Sequence, residues 1–240
     1  MISLRSIARN IYVTTNTYRY QTELPILLNA ARMIPGGLGT LLDAGAGSGY
    51  YMRKLLAAGL CTRIIGVEPF KDNFKILAKE CAPLGDRARV INRPIEDTGE
   101  PGASVDTILS TQVIEHIVDD HAVAREFYRL LKPGGHLLIT VPQPPEPFPQ
   151  PGHVREGYYQ KDLENLLGPA GFEPLHFDWA MTRTTVDRYL ALMRLPQGLR
   201  FVPPPLWARE SSRTRDQRQG DRPFCILGLF RKIQHGSNET

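Results

Sequence analysis

Three glycines at alternating positions, Gly45, Gly47 and Gly49, follow an apolar run and an acid in the stretch TLLDAGAGSGYYMRKLLAAG, residues 40–59. A turn of this kind, between a buried strand and a helix, brings backbone amides to a ligand with no Cβ in the way. The helix start adds partial positive charge. Something partly anionic or electron-rich should sit there. A dinucleotide site would use G-x-G-x-x-G, with its third glycine one residue further on. Asp43, two positions ahead of the first glycine, would repel a pyrophosphate yet offset an ammonium group. A ligand with an amino acid end and a nucleoside end fits better. A second acid, Glu68, closes the apolar run RIIGVEP, where a carboxylate can accept hydrogen bonds from both ribose hydroxyls of that nucleoside. Beyond a third run, NRPIEDTG offers Ile95 to lie on an adenine face, and Glu96 or Asp97 to accept its exocyclic amine.

Proton-transfer chemistry has its candidates in STQVIEHIVDD and PGHVREGYY. His116, with an ordinary pKa of about 6.5, suits a general base near neutrality. It reads equally well as a histidine bonded to backbone at a helix start, with Glu115 orienting it or fixing the turn. His153 is an alternative base. Arg155, Tyr158 and Tyr159 beside it would bind an acidic or sugar-like acceptor, or else Arg155 pairs with Glu156 or Asp162 and the tyrosines only pack.

These residues need elements that carry them to one place. Short apolar runs alternate with amphipathic stretches from Thr40 onward. Strands are expected at TLLDAG, RIIGVEP, RARVINRPI, SVDTILSTQV and HLLITVPQ. Helices are expected between them, among them FKDNFKILAKECAPLG, with Phe70, Phe74, Leu77 and Cys81 on one face, and DDHAVAREFYRLLKPGG. Such alternation gives an α/β doubly wound fold, a mostly parallel sheet with helices on both faces. Past Val141 the proline-dense PQPPEPFPQPGHVREG reads as a loop, here placed at 143–158. A helix over 159–167, a strand AGFEPLHFDWAM, a helix over 182–195 interrupted at Pro203–Pro205, and a closing strand FCILGLFRKI complete the reading. ESSRTRDQRQGDRP is polar enough to be mobile. Ahead of the first strand, residues 1–39 form a helical lead with a helix over 21–33 at the sheet edge, and Tyr18 and Tyr20 are candidates for a lid.

At 240 residues, with 42% hydrophobic and 22% charged, the chain is an ordinary globular one with room for one substantial domain. Its net charge of +4 is uneven: nine arginines against four acids between 183 and 222 make that segment +5, and the remainder about −1. This is no uniform nucleic-acid face, and no nucleic-acid partner is expected. The basic segment reads as a solvated surface, or one that meets an acidic substrate or a phosphate-bearing lipid surface. Cys61, Cys81 and Cys225 are scattered and lack metal-ligand spacing, so neither a disulfide framework nor a metal is expected. No run is long enough to cross a bilayer, and no signal peptide is recognisable, which makes the expected location cytoplasmic.

Taken together, LLDAGAGSGYY, GVEP, STQVIEHIVDD and LKPGGHLLITVP, in that order, resemble the class I S-adenosylmethionine-dependent methyltransferases, within the small-molecule group that includes the ubiquinone-type O-methyltransferases. The resemblance covers roughly residues 40–142, and departs where many members carry an Asp and this chain has Pro94. It implies a seven-stranded sheet in order 3-2-1-4-5-7-6, last strand antiparallel, with residues 40–240 as the methyltransferase domain. It also implies that S-adenosyl-L-methionine, leaving as S-adenosyl-L-homocysteine, meets Asp43, Gly45, Ala46, Gly47, Gly49 and Tyr50 at the first turn. Further contacts would come from Glu68 and Pro69 at the second, Ile95 and Glu96 at the third, and Thr111 and Gln112 at the fourth. The expected reaction is methyl transfer to a small-molecule acceptor, a hydroxyl on a saccharide, lipid precursor or secondary metabolite. An inactive cofactor-binding scaffold and a protein methyltransferase are the alternatives, and a monomer or homodimer the expected state.

Overall fold

The computed structural model of the chain describes residues 15–146, 152–196, 209, 210 and 212–234, with residues 15–18 as backbone. Helix α1 (Thr15–Arg32) leads into β1 (Thr40–Ala44), α2 (Tyr50–Ala57), β2 (Arg63–Val67), α3 (Lys71–Cys81), β3 (Ala88–Ile91), β4 (Val105–Thr111), α4 (Asp120–Leu130) and β5 (Leu131–Pro142). Then come α5 (Gln160–Leu167), β6 (Phe172–Ala180), α6 (Arg183–Met193), α7 (Arg215–Gly220) and β7 (Cys225–Lys232). The seven strands form one sheet in the order 3-2-1-4-5-7-6. β1 to β5 pair in parallel, and β7 runs antiparallel between β5 and β6.

Apolar side chains cover both faces of this sheet, because strands such as β5 carry apolar residues at successive positions, Leu137, Leu138 and Ile139, and so feed two cores at once. One core joins Phe127 of α4 and Leu163 and Leu166 of α5 to Leu42, Ile108 and Ile139. The other joins Leu27, Ala30 and Ala31 of α1, Leu55 of α2 and Leu77 of α3 to Leu41, Leu109 and Leu138. Helix α1 therefore lies over the β6 edge of the sheet, reaching inward to β7 and β5. Its seat is partly polar: Glu23, fully buried, accepts from the Tyr51 hydroxyl and, at 3.2 Å, from Cys225 Sγ.

Several boundaries differ from the sequence expectation. The helix through Gly135 stops at Leu130, since Pro133 and two glycines suit a bulged strand start better than a last turn. Pro83 ends α3 at Cys81 and starts a 3-10 turn over Ala82–Arg87. The segment read as mobile carries α7, and its Arg218 is buried against Asp178 of β6. The proline interruption at 203–205 lies outside the described residues. Among those described, no helix is long and apolar enough to cross a membrane.

Candidate functional site

Parallel strands deliver their C-terminal ends to one rim, and there a cavity of about 630 Å³ opens over β1, β2 and β4. Gly45, Ala46 and Gly47 form its floor. Gly45 is at φ 79°, and a Cβ on it would stand 2.5 Å from Val113 Cγ2, so only glycine lets the turn pass the β4 exit. Gly47, at φ 54°, has nothing within 4 Å of where a Cβ would be, and that atom would project into the cavity itself. Gly49 stands apart from the lining. It precedes α2 and lets the helix pack close, since a Cβ there would meet Leu77 Cδ1 at 2.7 Å.

Glu68 is buried at the end of β2 and ties the rim together. Its Oε2 accepts from the Gly47 amide at 2.8 Å and its Oε1 from the Phe70 amide at 3.0 Å. Each oxygen keeps a further lone pair for a ligand hydroxyl. Pro69, Phe70 and Ile95 make an apolar slot beside it, with Glu96 at its edge, and Asp97 is not part of the lining. Phe70 was expected in the core as part of a helical apolar face. It is instead 71% exposed, because its extended φ/ψ of −81°, 119° as the residue before α3 turns it out to the cavity.

Asp43 does not reach the cavity as expected. It is 1% exposed beneath the turn, with Oδ1 unpartnered and its carboxylate facing the Met52 amide at the start of α2. Burial first, then the charge of Glu68, push its carboxyl up from 3.8 to about 7. The folded chain thus keeps a proton that the unfolded chain loses above about pH 4, so this group stabilises in acid and loses that contribution as pH rises toward 7. Asp43→Asn, which cannot ionise, is expected to be more stable than the parent by a margin that grows by on the order of 2 kcal/mol between about pH 5 and pH 8. Thermal melts of the unliganded protein at both pH values check this; a margin that does not change with pH would sink it.

The other wall comes from α1, the start of α2 and the β4 exit. Arg19, Tyr20 and Tyr50 line it, and the Tyr20 and Tyr50 rings stack at 4.2 Å. Thr111, Gln112 and Val113 follow from β4, then His116 and Ile117. His116 Nδ1 lies 2.9 Å from the Gly152 carbonyl, which can only accept; Nδ1 therefore carries the proton and Nε2 the lone pair. Glu115, the preceding residue in the chain, is not part of the cavity lining. It is fully buried, neither carboxylate oxygen has a partner, and burial pushes its carboxyl up to about 8. His153 packs edge-on against His116, ring centroids 4.6 Å apart, and its Nδ1 meets the Glu146 carboxylate.

Arg155, Tyr158 and Tyr159 are not brought to the cavity. The Arg155 guanidinium donates to the carbonyls of Ile114, Ile117 and Val118 at 2.8–3.0 Å, and the Tyr158 hydroxyl donates to Asp120 at 2.8 Å. Together with the Val154 amide on the Glu115 carbonyl, they rivet the roof loop to the β4 exit. Tyr159, half exposed, precedes α5 and donates its amide to Asp162. Among the lining residues missing from the sequence reading are Arg19, Phe70, Asn73 and Gly152. Phe70 had a signal, its place directly after the strand-end acid and proline; the others are set by how α1, α3 and the roof loop pack.

These features fit a nucleoside bearing an amino acid tail: an amide-floored cradle that a Cβ would fill, a buried carboxylate with spare lone pairs, and an apolar slot of adenine width beside it. A family model described as "Methyltransferase domain" matches residues 42–139. The ubiquinone biosynthesis O-methyltransferase of Methylobacterium nodulans is 30% identical over 183 residues, covering 65% of this chain and 73% of that protein. Against several mycobacterial methyltransferases the chain spans only about half of their length. Among solved structures, the geranyl diphosphate C-methyltransferase of Streptomyces coelicolor A3(2), in complex with Mg2+, geranyl diphosphate and S-adenosyl-L-homocysteine, superimposes with a TM-score of 0.60 at 16% identity, covering 88% of this chain and 77% of that one. The [4+2]-cyclase SpnF gives 0.62 at 21% identity, covering 88% and 81%. At such identities the likeness is one of fold.

Proposed function

Because the chain belongs to the class I S-adenosylmethionine-dependent methyltransferases, we propose that it methylates a hydroxyl oxygen of a small molecule, with the cofactor seated between Gly45–Gly47 and Glu68. The bound cofactor supplies an activated methyl group on a sulfonium. What remains for the protein is to hold the acceptor in line, exclude water and take the hydroxyl proton. Glu68 grips the ribose through its spare lone pairs, and Pro69, Phe70 and Ile95 sandwich the base. Tyr20 and Tyr50 close the cavity from the α1 side. Cys61, Cys81 and Cys225 are all free and buried, which suits a reducing cytoplasm.

The observation that carries the reading is the position of His116. It lines the same cavity as Glu68, from the end of the neighbouring strand, with its proton fixed on Nδ1 and its Nε2 lone pair available to an acceptor hydroxyl. The test is mass-spectrometric detection of S-adenosyl-L-homocysteine and of a methylated product, with panels of phenols, sugars, hydroxy lipids, amines and peptides. Conversion with a hydroxyl class is expected. Turnover confined to amines or to peptides, or no turnover above background with any class, would overturn it.

A further inference from the structure

Glu115, His116 and His153 each place one ligand atom within 4.8 Å of the other two. Nothing in the proposed methyl transfer uses this meeting of two imidazoles and a carboxylate, and the family needs no metal for that reaction. Glu115 is the telling member. A fully buried carboxylate with both oxygens unpartnered lacks the compensation that buried acids ordinarily have, and the charge of Arg19 on α1 eases it only from a distance beyond hydrogen bonding. The two rings add an independent sign. His116 turns Nδ1 to the Gly152 carbonyl and His153 turns Nδ1 to the Glu146 carboxylate, the outer partners that orient a metal-bound imidazole and leave its Nε2 for the ion.

We propose that Glu115, His116 and His153 bind one divalent first-row transition ion, such as Zn2+ or Co2+, at the acceptor end of the cavity, with Glu146 as a positioning residue behind His153. Imidazole donors favour such ions over Mg2+ or Ca2+. Bonds of about 2.1 Å place neighbouring ligand atoms about 3.0–3.4 Å apart, so the three side chains need to close by about an ångström. His116 is exposed at the cavity, which gives the ion a way in. The riveted roof loop holds His153 over the β4 exit, which supplies the other two ligands. On His116 the ion takes the Nε2 lone pair, so loading with metal and acceptance of a proton exclude each other there. The site goes beyond the methyl-transfer reading and does not depend on it.

Titration of the full chain with Co2+, followed by visible absorption and checked by competition with a chromophoric chelator, tests this. One Co2+ per chain is expected, with affinity falling at least tenfold in Glu115→Gln and in His153→Ala, and about tenfold in Glu146→Gln. Binding of S-adenosyl-L-homocysteine by calorimetry, expected to be unchanged in these variants, shows that they are folded and reports separately on the cofactor reading. Either of the first two variants suffices should the other fail to fold. No stoichiometric uptake by the parent, or uptake undiminished in the folded variants, overturns the site.

Discussion

Replacing Glu68 by alanine is expected to weaken binding of S-adenosyl-L-homocysteine roughly 100-fold. In the proposed complex both ribose hydroxyls donate to this carboxylate, and charge-assisted bonds of that kind contribute about 1.5–3 kcal/mol each. Part of the loss returns as water fills the gap, leaving about 3 kcal/mol, or roughly two orders of magnitude in Kd. The same substitution unfastens the Gly47 and Phe70 amides, so the floor and the apolar slot lose their common anchor. Glu68→Gln, which keeps the shape and one acceptor, is expected to fall between the two. Calorimetry decides: a Kd for the alanine variant within about threefold of the parent would mean that the sugar is held elsewhere.

Arg218→Ala is expected to cost about 3–5 kcal/mol of stability, a large share of the ~5–15 kcal/mol that holds a domain together. The guanidinium donates to Asp178 through Nε at 3.1 Å and through Nη2 to both carboxylate oxygens at 2.6 Å. The two side chains are only 9% and 8% exposed. Truncating the arginine leaves a buried carboxylate without its counter-charge on β6, the outer neighbour of β7. Removing both charges, as Arg218→Met with Asp178→Asn, is expected to recover most of the loss. Urea unfolding of the three proteins measures it, and a single-variant cost below about 1 kcal/mol would show that the pair is dispensable.

The contrast between these two residues shows what could be read before the structure. Glu68 was legible because two local facts coincide: an apolar run that can only be a buried strand, and an acid at the end where such strands present ligand contacts. The sheet followed from the same kind of evidence, continuous apolar runs at crossover spacing, and so did the glycine floor. Arg218 was illegible. It sits in ESSRTRDQRQGDRP, whose polarity argues for solvent, and only the approach of Asp178 from 40 positions away makes it core. Arg155 is similar: beside two tyrosines and a histidine it looks like a substrate clamp, yet its donors go to carbonyls of the β4 exit, a partnership no spacing announces. Phe70 failed for a subtler reason. Helical periodicity put it on the buried face of α3, and one residue of extended backbone at the helix start turned it outward.

The basic balance of 182–222 looks different in this light. Among the described residues, Arg213 pairs with Asp221 at 2.5 Å, Arg183 with Asp187 at 2.9 Å, and Arg215 donates to the Phe177 carbonyl while lying over the Trp179 ring. Arg215 and Arg218 thus hold this segment to β6, while Arg183 and Arg213 are matched by acids within it, and less of the charge faces outward than the count suggested.

Glu23 joins the first helix to Cys225, the first residue of the last strand, across 202 positions of chain. During synthesis the ribosome releases the cradle and the ribose-gripping acid long before β7 exists, so a half-made protein carries an open, unroofed cup. The seat of helix α1 is complete only once β7 slides between its two neighbours. Ligand retention is thereby deferred to the moment when the whole chain is in hand.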